Sequence, residues 1–168
     1  TLSAPEQAAL ARLSVIHGEW TLDAGLRISA GSLADLTHLV DASLVCALDN
    51  DLYSLHEVIK QLAARKLERM PGAELVALAA YRDYYVAWAE QDMQTAGSTM
   101  LWMQQAARLE HHLQHLWHIW VTSTDEGDRA RLAVALLHAE RTWRYPIIFS
   151  TGTVRSWDNV DAFLHAYT

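Results

Sequence analysis

One cysteine, Cys46, stands among 168 residues, so no disulfide can close within the chain. It falls in an apolar run, and the expectation is a buried structural thiol in a reducing interior. Basic residues are scarce as well. Thirteen Lys and Arg against twenty Asp and Glu leave a formal net charge of −7, which repels nucleic acid and anionic lipid. The nearest thing to a basic stripe is Arg65, Lys66 and Arg69, interrupted by Glu68, and a solvated helix face accounts for it. No run approaches the ~18 apolar residues of a membrane span, and the N-terminus lacks a signal-peptide pattern. These absences lead us to expect a cytoplasmic protein without direct nucleic-acid or membrane partners. An initiating Met is missing too, which suggests a piece of a longer polypeptide.

What is present is apolar mass. Apolar residues make up 51% of the chain, the composition of a packed protein rather than a disordered one. A chain of this length buries roughly 70% of the surface it would expose unfolded. Seven Trp residues, mostly from Trp88 onward, predict the denser core in the C-terminal half.

Pro5 stands at an allowed first-turn position. Ala8, Ala9, Leu10, Leu13 and Ile16 follow at helical spacing, which predicts a helix to about Ile16. Thr21 reads as the N-cap of a second helix through Ser29, and Ser32 as the cap of a third through Leu44. Apolar runs over 44–48 and 52–55, joined by Asp49-Asn50-Asp51, predict a hairpin. A fourth helix over 56–70 stops at Pro71-Gly72. Three helices, a hairpin and a closing helix predict a winged-helix domain over residues 1–70.

From residue 71 to 168 the pattern is helical throughout. Helices are expected over 74–95, 99–121 and 129–144, with a last one over 158–167. Antiparallel helices with short links suggest the start of an α-solenoid resembling tetratricopeptide repeats, although no fixed period stands out. The expected fold class is therefore mainly α, a winged helix with a small hairpin followed by a helical arm. Apolar surface left at a truncated solenoid end would also favour a homodimer.

Four stretches carry a family resemblance. Arg12-Leu13-Ser14-Val15-Ile16, then Gly18 and Trp20-Thr21-Leu22, is similar to R-L-S-V-F, paired glycines, an aromatic residue and T-L-E-A-A. Leu39-Val40-Asp41-Ala42-Ser43-Leu44-Val45 is similar to L-V-D, a basic residue, then S-L-L. Tyr53-Ser54-Leu55-His56-Glu57-Val58-Ile59-Lys60-Gln61-Leu62-Ala63 is similar to Y-x-L-H-E-L-L-R-Q-Y-A. Tyr84-Tyr85-Val86-Ala87-Trp88-Ala89-Glu90 is similar to Y-Y-L-A-L-A-E-E. Over residues 10–90 the chain resembles the segment after the nucleotide-binding core of the signal-transduction ATPases with numerous domains, the STAND class. That class includes LuxR-type and SARP-type transcriptional regulators and the NB-ARC proteins.

The resemblance implies a role for His56. Leu55-His56-Glu57 corresponds to the family's Met-His-Asp motif, whose His approaches the β-phosphate of ADP and locks the winged helix onto the nucleotide-binding domain. Imidazole suits this role, because it donates a hydrogen bond and can gain charge near neutral pH. Exchange of ADP for ATP would release the lock, a rigid-body switch. The partner is then the protein's own nucleotide-binding domain in cis, with a protein or small-molecule inducer at the helical arm. Glu19 and Ala42 depart from the family pattern. No G-x-x-x-x-G-K loop followed by Ser or Thr occurs, so the segment is expected to be non-catalytic, with ATP or ADP bound only in the full-length protein.

Other residues suggest other chemistry. In Glu110-His111-His112-Leu113-Gln114-His115-Leu116-Trp117-His118, the side chains of His111, His115 and His118 recur on one helical face. Such a face suits Zn²⁺ or another transition metal, in a small helical metal-binding protein or metal-dependent enzyme. Interhelical packing is the competing account, since H-E-x-x-H is absent. Trp88, Trp102, Trp117, Trp120 and Trp143 suit either a small-molecule pocket or plain core, and Tyr81, Tyr84 and Tyr85 suit core. The third helix has no Lys or Arg but carries Asp35 and Asp41, which disfavours it as a DNA-reading element. A helical protein-interaction adaptor is the remaining alternative.

Overall fold

Side-chain caps open the first three helices. Ser3 and Glu6 form a capping box before α1 (Ala4–Leu13), with the Ser3 N–H donating to the Glu6 carboxylate at 2.6 Å. Thr21 caps α2 (Leu22–Ser29), and Ser32 with Asp35 forms a second box before α3 (Leu33–Asp41). These belong to a computed structural model that describes residues 2–95, 112 and 114–132. The described residues are mainly helical with one small antiparallel sheet. The chain divides into two compact units, Thr1–Tyr84 and Tyr85–Thr168.

Two helices end earlier than their apolar periodicity predicts, each for a local reason. α1 stops at Leu13 rather than near Ile16, because the Ser14 hydroxyl donates to the Ala11 carbonyl at 2.6 Å. The following N–H groups bond three residues back, which tightens the last turn. Ile16 is still buried, so the burial that its spacing implied is met outside the helix. α3 stops at Asp41 because Ser43 takes a left-handed conformation (φ 57°). Its N–H bonds to the Val40 carbonyl and that of Leu44 to Leu39, the pair of bonds of a Schellman motif with Ser where Gly is usual.

The sheet has three short strands, β1 (Trp20–Thr21), β2 (Cys46–Ala47) and β3 (Leu52–Ser54), in the order β1-β3-β2. The β2–β3 hairpin turns through a 3₁₀ turn at Asp49–Asp51 and pairs Ala47 with Tyr53. β1, which has no counterpart in the sequence expectation, pairs Trp20 with Tyr53 on the other side of β3. Cys46 corrects the expectation of a buried thiol: it is exposed on β2, an edge strand too short to cover either face.

α4 (Glu57–Glu68) leaves the sheet directly, and α5 (Ala73–Thr95) follows a turn at Gly72. Gly72 sits at φ 70°, a region that costs a residue with a Cβ. α1 packs against α2, α3 and α4. Leu13, Ile16, Trp20, Ile28, Leu39 and Val45 fill the core of the first unit. A second cluster joins Ala11, Leu67 and Ala77, with Val15, Met70 and Ala73 against it. In the second unit, residues 114–122 and 126–132 are helical, and Tyr85, Val86, Ala89, Leu116 and Leu132 are buried. The helix expected to begin at Arg129 begins at residue 126, because the Asp125 carboxylate accepts from the Asp128 N–H at 2.9 Å. The expected helix over 158–167 lies outside the described residues. No described helix is long and apolar enough to cross a membrane.

Candidate functional site

The approach to His56 is fixed on both sides. Upstream, β3 is the central strand of the sheet, with Leu52 buried and Ser54 paired to Cys46. Downstream, α4 is anchored through buried Ala63 and Leu67. Lys60 ties α4 to the segment after α1, its ammonium donating to the Ile16 carbonyl at 2.8 Å. Partial burial holds the Lys60 pKa below its usual value. Leu55 and His56, between strand and helix, are therefore held by packing on both sides.

His56 is the N-cap of α4, with extended backbone (φ −61°, ψ 139°) and an exposed side chain. Its Nδ1 accepts from the Val58 N–H at 3.4 Å, a long and weak bond. A neutral ring that accepts at Nδ1 carries its proton on Nε2. Such a ring offers one donor beside a helix N-terminus, where the dipole favours negative charge. Glu57 brings a carboxylate to the same turn. It accepts from the Gln61 amide at 3.0 Å, one turn further along the helix. Leu55 is half-buried.

The histidine-rich stretch is arranged differently. His111 lies outside the described residues. His115 is 2% exposed and stacked on Tyr85, with ring centroids 4.1 Å apart. His118 is half-buried, and its carbonyl accepts from the Thr122 hydroxyl at 2.7 Å. Among the described residues, His112 also lies against Tyr85, at 5.6 Å, and is buried against Trp88 at 3.9 Å. Among the described residues no group of three or more His, Cys, Asp or Glu side chains is placed to hold a metal ion.

Neither protein-family models, nor curated proteins, nor solved structures give a match to this chain. The site must be read from its own chemistry.

Of the tryptophans, Trp120 is buried under the Arg129 guanidinium, 4.5 Å from the ring centroid, while Trp88 and Trp117 are half-buried. Trp102 and Trp143 lie outside the described residues. Tyr81 and Tyr85 are buried and Tyr84 half-buried. Burial raises the pKa of Tyr81 well above the usual tyrosine value. An open groove of about 540 Å³, lined by Leu62, Arg65, Lys66, Arg69 and Met70, lies along the second half of α4.

Proposed function

We propose that the chain is a non-catalytic regulatory segment of a STAND-type ATPase, a winged-helix domain followed by the first helices of a tetratricopeptide-like arm. In this reading His56 senses the phosphates of ADP held by a nucleotide-binding domain in the same polypeptide. The segment passes the nucleotide state to the arm, in a cytoplasmic transcriptional regulator. The observation that carries the reading is the exposed His56 ring at the N-terminus of α4, with its Nδ1 engaged by the Val58 N–H.

Two further features support it. The order α1-β1-α2-α3-β2-β3, with β1 and β2 flanking β3, is compatible with a helical core that carries a β-wing. α3, which would be the DNA-reading helix of a DNA-binding winged helix, exposes Leu33, Ala34, Thr37, His38 and Asp41, with neither Lys nor Arg. His38 is committed to Glu6 at 2.6 Å. A role in contacting protein or nucleotide suits that surface better than phosphate-backbone binding.

The test is ADP retention by the full-length polypeptide, wild type against His56→Ala. The proposal expects ADP to leave about tenfold faster from the variant, the worth of one charge-assisted hydrogen bond. Unchanged retention removes His56 from the mechanism. A full-length polypeptide without a phosphate loop upstream removes the family reading altogether.

A further inference from the structure

The outer face of α4 exposes apolar and cationic side chains together. Val58, Leu62, Arg65 and Arg69 follow one another at i, i+4, i+7 and i+11. At about 100° per residue they share roughly 60° of helix arc and extend roughly 16 Å. The anchoring residues Ala63 and Leu67 lie on the opposite side. Val58 is 58% exposed and Leu62 56% exposed, although α4 has buried positions available to an apolar side chain. Arg65, Lys66 and Arg69 are all exposed, and with Leu62 and Met70 they line the groove of about 540 Å³. Lys66 reaches the side-chain amide of Gln7, a neutral group. None of the three cations has an acidic partner among the described residues.

Two ordinary explanations fall short. Cations in the last turn complement the helix dipole, and Arg65 and Lys66 do so. This leaves the exposed apolar pair one and two turns upstream unexplained. Solubility does not call for basic residues in a chain whose net charge is already −7.

We propose that this face of α4 is a docking surface for an amphipathic helix of a partner protein, one that presents apolar side chains followed by Glu or Asp. The apolar half of the stripe, Val58 and Leu62, takes the partner's apolar residues. The cationic half, Arg65, Lys66 and Arg69, takes its carboxylates. The stripe has the length and spacing at which one helix reads another, and its sign selects an acidic partner. Exposed ion pairs are individually weak, so the apolar contact must supply part of the affinity while the charges supply the choice. The site lies on a different face and different residues from the phosphate-sensing role of His56, and the two can fail separately.

The experiment titrates two synthetic helical peptides of about 16 residues into the ¹⁵N-labelled chain at low salt. One carries two Leu at i and i+4 and Glu at i+7, i+8 and i+11; the other replaces each Glu by Gln. The expected result is shift changes confined to residues 58–70 and binding of the Glu peptide about tenfold tighter than the Gln peptide. Arg65→Glu with Arg69→Glu should abolish that preference. Leu62→Ala should weaken both peptides, with helix content unchanged by circular dichroism. Equal affinity for the two peptides, shifts elsewhere, or no binding overturns the proposal. A concentration-dependent dimer lost on Leu62→Ala would assign the face to a second copy, and tighter binding to phosphatidylserine vesicles would assign it to a lipid surface. Either result also overturns it.

Discussion

Ser43 holds a left-handed backbone conformation without being glycine, and it does so to close α3. Such a conformation costs a residue with a Cβ roughly 1 kcal/mol or more. Ser43→Gly is therefore expected to stabilise the chain by about 0.5 kcal/mol in urea denaturation, the relief at Ser43 exceeding the cost of glycine's freedom when unfolded. The opposite effect is expected at Gly25. A Cβ there would lie 2.8 Å from the indole nitrogen of Trp20, a side chain only 2% exposed and unable to step aside. Gly25→Ala should destabilise the chain by about 1–3 kcal/mol, read as a lower denaturation midpoint with the slope retained. Glu6 links residue chemistry to pH. The Ser3 N–H and then His38 hold its carboxyl below the usual 4.5. A depressed carboxyl contributes stability that is present above its unfolded pKa and lost as pH falls through the folded one. Denaturation midpoints between pH 5 and pH 3 should thus fall less steeply in Glu6→Gln than in the wild type.

At the scale of elements, what the sequence announced and what it hid have separate physical causes. The starts of α2 and α3 were legible because Thr21 and Ser32 cap through their own side chains, a signal carried by one residue. The hairpin was legible from two apolar runs around Asp49-Asn50-Asp51. β1 was not, because two residues show no alternation and their partner Tyr53 is supplied by tertiary folding. The ends of α1 and α3 were hidden because Ser14 and Ser43 close them in place of glycine or proline. Cys46 was misread for a related reason: an apolar stretch says nothing of whether its strand will be an edge. For the candidate site, the position of His56 between strand and helix could be read from the pattern, while its capping contact with the Val58 N–H could not. The partnering of His112 with His115 on Tyr85 was invisible, since those rings are brought together only by packing. Removing the stacked ring should therefore act on stability. His115→Ala is expected to cost about 2–4 kcal/mol, measured by chemical denaturation.

For the whole molecule, the two compact units have distinct contents. The first joins α1 to α4, the start of α5 and a small sheet around a core that includes Trp20, and it presents His56 at its surface. The second combines stacked aromatic and histidine rings with a two-point contact between Arg131 and Glu90 at 2.7 and 2.8 Å. The most direct measurement is the rate at which ADP leaves the full-length polypeptide, with His56 intact and with His56→Ala. The account predicts retained ADP in the first and roughly tenfold faster release in the second. Equal release rates, or a polypeptide that holds no nucleotide in either form, would contradict it.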